Sequence, residues 1–222
     1  MNLEQLTQRF RTDSCDKADP PFASNEEVWG WFSQAVDEAA IRARLLLEDS
    51  DPAFCRIAVS AGQSRAPLHP KTYEIAQQSF VLDTGRHIPL DLISREKLDQ
   101  VASRWREMPN GEPRWLIQMD TSARLVPAPM EAGALHLEIY RLSLKPLLTE
   151  SSKPEIHEAH HIHLVEWALH KFFSIPDADF FDTGRAQRHL QNFENYFGLS
   201  PDVDLRRSTR EDEVQTTVVH TF

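Results

Sequence analysis

The run His157-Glu158-Ala159-His160-His161 has the spacing H-E-x-x-H. On an α-helix, residues four apart share a face, so His157 and His161 could both ligate a zinc ion. Glu158 could then take a proton from a metal-bound water. On such a helix both imidazoles fall on the arc that carries Leu164, Ala168 and Phe172, which faces the interior. A third ligand does not follow. The extended zinc pattern requires Gly at 164 and His at 167, where Leu164 and Trp167 stand. The pattern with a downstream helical Glu finds Glu194, but Gly198 stands four positions on where Asp is needed. A zinc-dependent hydrolase using His157, Glu158 and His161 is thus the alternative reading, beside a non-catalytic metal site on His157, His161 or His163. The plainer reading is a histidine-rich first turn packed against neighbouring helices.

Other chemistry is thinner. Ser60 and Ser64 lie near His69, but neither sits in a G-x-S-x-G elbow. Seven glycines form neither G-x-G-x-x-G nor G-x-x-x-x-G-K, so no phosphate-cradling loop is expected. Trp105, Trp115, Tyr140, Phe172 and Phe193 fall at helix or strand periodicity and read as core. No catalytic, cofactor-binding or metal residue is assigned, and the chain is expected not to be an enzyme.

The elements that would position any site follow from periodicity. Apolar residues at 3, 6 and 10 predict a short helix over 3–11. Ser24 followed by Glu27 is a capping-box pattern, opening a helix expected over 25–48 and stopped by Asp49-Ser50-Asp51-Pro52. From Ala53 the period shifts to 2. Strands are expected at 55–59, at 78–82 turning through Asp83-Thr84-Gly85 into 88–90, and at 115–118, 123–127 and 135–140. A helix capped by Ser94 spans 95–106 between them. Helices return at 154–174, with Pro at its start, and at 183–197, capped by Asp182 and closed by Gly198 and Pro201.

The expected fold class is α+β: a bundle of about four helices with a small antiparallel β-sheet inserted, and an extended C-terminal arm. The expected divisions are a helical part at 1–52 and 146–198, an inserted β subdomain at 53–145, and an arm at 199–222. With 222 residues, 41% apolar and 26% charged, the chain has the composition of a soluble globular protein. No apolar run approaches the ~20 residues of a membrane span, and no secretory signal is read at the start. Cys15 and Cys55 make no metal spacing, which suits a reducing compartment. A formal charge of −10 argues against gripping nucleic acid by its phosphates, though not against a surface that DNA slides past.

Three groups of residues carry a family resemblance. They are the helix Asn25-Glu26-Glu27-Val28-Trp29-Gly30-Trp31-Phe32, the sheet runs Gly111-Glu112-Pro113-Arg114, Leu125-Val126-Pro127-Ala128-Pro129 and Leu135-His136-Leu137-Glu138-Ile139-Tyr140-Arg141, and the helix around His163-Leu164-Val165-Glu166-Trp167. In order and spacing they resemble the head-to-tail adaptor (connector, or tail-tubular) proteins of tailed bacteriophages over residues 1–210. The resemblance implies a structural virion protein, made in the host cytoplasm and placed at the neck. It implies a twelve-fold homo-oligomeric ring that binds the portal and the tail, stopper or nozzle proteins, and lets DNA pass without sequence-specific contact. A small accessory tail protein, such as a stopper or baseplate component, is a third reading. The arm, ending in Val218, Val219 and Phe222, either orders against the portal or a neighbouring subunit or stays an unordered tail.

Overall fold

The computed structural model describes residues 1–176 and 179–201. From residue 202 on, the expected C-terminal arm lies outside the described residues. The chain divides into two compact units, Met1–Leu47 with Tyr140–Pro201, and Glu48–Ile139.

The first unit holds four α-helices: α1 (Leu3–Ser14), α2 (Asn25–Ala43), α5 (Leu164–Phe173) and α6 (Thr183–Phe197). Helix α5 is apolar on nearly all sides: Leu164, Val165, Trp167, Ala168, Leu169, Phe172 and Phe173 are buried. A helix with so wide an apolar surface must be covered on several sides. Accordingly α5 packs against α1, α2 and α6. Phe172 meets the edge of Phe10 at 5.4 Å, and Trp167 meets Phe193 at 5.1 Å between ring centroids. Helix α2 opens with the expected capping box of Ser24 and Glu27. It ends at Ala43, five residues before the expected stop. Arg44 turns left-handed (φ 51°), and the Leu46 carbonyl then accepts from the Arg141 N–H at 2.9 Å.

The second unit is more elaborate than one sheet. After the short strand β1 (Leu47–Glu48), Asp51 caps a single turn, α3 (Pro52–Cys55), where the strand was expected to begin. Strand β2 (Arg56–Val59) pairs antiparallel with β9 (Gly133–Arg141), in the register Arg56 to His136 and Val59 to Gly133. Strand β4 (Thr72–Leu82) neighbours β9, and β5 (His87–Pro89) pairs with β4. A separate four-stranded sheet has the order β3 (Arg65–Pro67), β8 (Ser122–Val126), β7 (Trp115–Gln118), β6 (Asp91–Leu92). Its β6–β7 pair is parallel and the rest antiparallel.

The fold class is α+β, but two small sheets replace the one expected. Neighbouring residues on β7 show why. Leu116 joins the core with Phe80, Leu125, Leu135 and Leu137, while Ile117 joins Leu98, Trp105 and Val126 on the opposite face. That second face is covered by α4 (Arg95–Val101) and a 3-10 turn, Trp105–Glu107. Gln118 ties β7 to β4: its Oε1 accepts from the Ile75 N–H at 2.9 Å, and its Nε2 donates to the Tyr73 carbonyl at 3.0 Å.

Candidate functional site

The H-E-x-x-H run does not lie on an α-helix. Residues Glu158–His163 form a 3-10 helix with His157 as its N-cap, and α5 begins only at Leu164. His161 explains the difference. In an α-helix the Ile156 carbonyl would accept from the N–H of residue 160. Here the His161 Nε2 takes that carbonyl at 2.9 Å, and the His160 N–H bonds His157 at 3.0 Å, three residues back.

A 3-10 helix turns once every three residues, so His157, His160 and His163 share a face and His161 leaves it. His161 is 1% exposed. Its Nε2 lies 2.9 Å from the Ile156 carbonyl oxygen, and its Nδ1 lies 2.9 Å from both the nitrogen and the carbonyl oxygen of Met1. His157 is exposed and uses Nδ1 to accept from the Ala159 N–H. Glu158 is solvated, 3.8 Å from Lys153. The three residues of the zinc alternative therefore point to three places, and both nitrogens of His161 are engaged by the protein. Among the described residues, no group of three or more His, Cys, Asp or Glu is placed to hold a metal ion.

The remaining histidines pack on the end of α6. His163 stacks on Tyr196 with centroids 3.5 Å apart, and His160 Nδ1 lies 3.1 Å from the Tyr196 hydroxyl. Burial, and then the neighbouring histidines 157, 163 and 161, hold the His160 pKa below its ordinary value. Among the described residues the group is a packing contact between these rings.

Sequence reasoning missed a cleft in the second unit, of about 300 Å³, lined by Asp49, Cys55, Arg56, Gln78, His136 and Glu138. Cys55 and His136 are far apart in sequence; Cys55 directly precedes Arg56, which the β2–β9 register pairs with His136, so both line this cleft. A thiol and an imidazole lining one cleft raise nucleophilic chemistry, but the surroundings of both oppose it. Burial first, then Glu48, Asp49, Asp51 and Glu138, push the Cys55 thiol up to about 11. The His136 imidazole is held down by burial and by the charges of Arg56 and His87. A thiolate is the reactive species, and the raised pKa disfavours it. Its Sγ donates to the Glu48 carbonyl at 3.4 Å.

The chain matches the family model described as SU10 adaptor protein over residues 1–219, and it belongs to that family. It is thus a member of a bacteriophage adaptor family, whose proteins are structural. No curated protein matches it. No helix among the described residues is long and apolar enough to cross a membrane.

Proposed function

We propose that this protein is the head-to-tail adaptor of a tailed phage. Copies form a ring, twelve-fold, docked between the portal and the tail or nozzle proteins, with packaged DNA passing through the centre. The observation that carries this reading is the adaptor-family match across nearly the whole chain, 1–219. The helical residues 1–52 and 146–198 would make the ring contacts, and the β insertion at 53–145 would reach toward tail components.

The acid excess of the chain supports the passage of DNA. A surplus of ten negative charges disfavours the many phosphate contacts that would brake a sliding duplex. Mass photometry of the purified chain with portal rings tests the proposal. A discrete higher-mass species containing both is the expected result, and a chain that stays monomeric and ignores portal overturns it.

A further inference from the structure

The second unit sets two arginines over one indole and brings the charges of two more to bear on one of them. Arg106 lies over Trp105 at 4.3 Å and Arg124 over the same ring at 4.6 Å, measured to the ring centroid. Arg65 is the cross-strand register partner of Arg124, so two like charges stand directly opposite each other, an arrangement that destabilises a sheet. Arg95 also places its charge on Arg124. Among the described residues only Arg106 pairs directly with an acid, Asp99, which also accepts from the Trp105 indole N–H at 2.7 Å and feels the charge of Arg95.

Among the described residues, Arg65, Arg95 and Arg124 have no ion-pair partner. The Arg124 Nε is buried with no hydrogen-bond acceptor. Burial first, and then the charges of Arg65, Arg106 and Arg95, hold the Arg124 guanidinium below its ordinary pKa. Among the described residues these three guanidiniums are left to solvent or to a partner, in a chain of net charge −10.

We propose that Arg65, Arg95, Arg106 and Arg124 form a docking surface for carboxylates of a second copy of this chain. Charge complementarity identifies the occupant. The chain is strongly acidic, and exposed Glu26, Glu131 and Glu150 have no cation partner among the described residues. A guanidinium fork suits a carboxylate in bidentate geometry. Nucleic acid fits less well. Trp105 is 3% exposed with two arginines over its ring, so it offers no platform for a base, and the net charge repels phosphates. This inference rests on the ring reading and names the surface that closes copy onto copy.

The test uses the full chain, with Arg65→Thr and Arg95→Ser singly and together, and Arg65→Lys as the conservative variant. Sedimentation velocity is run at about 0.05 M and about 0.5 M salt, where screening differs several-fold in length. The wild type should self-associate about tenfold more weakly in the higher salt, and the double variant should lose about tenfold at low salt and respond little to more. Arg65→Lys should retain most of the association. Thermal melting separates docking from folding: removing a charge opposite Arg124 should leave Tm equal or higher while association falls.

Oligomers that form equally well in the variants would overturn this surface and leave the ring reading standing. A wild type that is monomeric at both salts, with or without portal, would overturn both. Variants that lose salt-sensitive duplex binding while assembling normally would give the surface to DNA and sink the proposal.

Discussion

Glu155 is the residue whose loss should be felt most sharply where the chain returns to the helical unit. One of its oxygens accepts from Arg141 at 2.8 Å, and the other accepts from the Leu144 N–H at 2.8 Å and the Ser143 hydroxyl at 3.2 Å. The Arg141 and Glu155 side chains are 11% and 12% exposed. Breaking a buried pair by removing one partner costs about 3 to 5 kcal/mol, and each neutral hydrogen bond contributes about 1. Some solvent reaches this pair, which favours the lower end. Glu155→Ala should therefore cost ~3 to 4 kcal/mol, and Glu155→Gln, which keeps an acceptor and the shape, about half that.

The pH dependence sharpens the test. Burial opposes ionisation of Glu155, but hydrogen bonds from Arg141, Leu144 and Ser143 outweigh it and leave the native carboxyl below its ordinary pKa. A lowered native pKa stabilises the fold above the unfolded value of about 4.3, and that stabilisation is lost as pH falls through the native value. Urea unfolding followed by tryptophan fluorescence should show the full deficit of Glu155→Gln at pH 7, shrinking toward about pH 3. A deficit below about 0.5 kcal/mol at pH 7, or one that is the same at both pH values, would refute the reasoning.

Three other outcomes follow from particular contacts. A Cβ on Gly133 would sit 2.4 Å from the Val81 carbonyl oxygen and 3.0 Å from both Leu82 Cα and the Phe80 ring, so Gly133→Ala should destabilise by about 3 kcal/mol in thermal melts. Native chain treated with iodoacetamide near pH 8 should label exposed Cys15 and spare Cys55, as peptide mass spectrometry can read; equal labelling would contradict the raised Cys55 pKa. His161→Leu orphans the Ile156 carbonyl and should lower stability by ~2 kcal/mol, whereas chelator, or Glu158→Gln, should leave Tm unchanged.

Local signals that act within one turn were legible in the sequence. Ser24 with Glu27, and Asp182 before Thr183, mark helix starts where the structure has them, and Gly198 follows the end of α6. The alternation through Leu135, Leu137 and Ile139 marks β9. Features set by distant partners were not legible. The early end of α2 depends on Arg141, and the 3-10 geometry of Glu158–His163 depends on the His161 ring reaching back to Ile156. The first half of β4 offers only Tyr73, Ile75 and Ala76 among polar residues, and its pairing and the Gln118 bridge reveal it. The zinc spacing was a true feature of the sequence read with the wrong helical period. The arginine cluster needed the β3–β8 register and the turn carrying Trp105 before four separate charges became one surface.

The most direct test of the adaptor reading is made on the phage itself, by electron microscopy of particles from a host infected with a phage carrying an amber codon early in this gene. DNA-filled heads that lack tails and leak their DNA, restored to tailed virions when the protein is supplied in trans, are the expected result. Normal tailed, infectious particles assembled without the protein would contradict it.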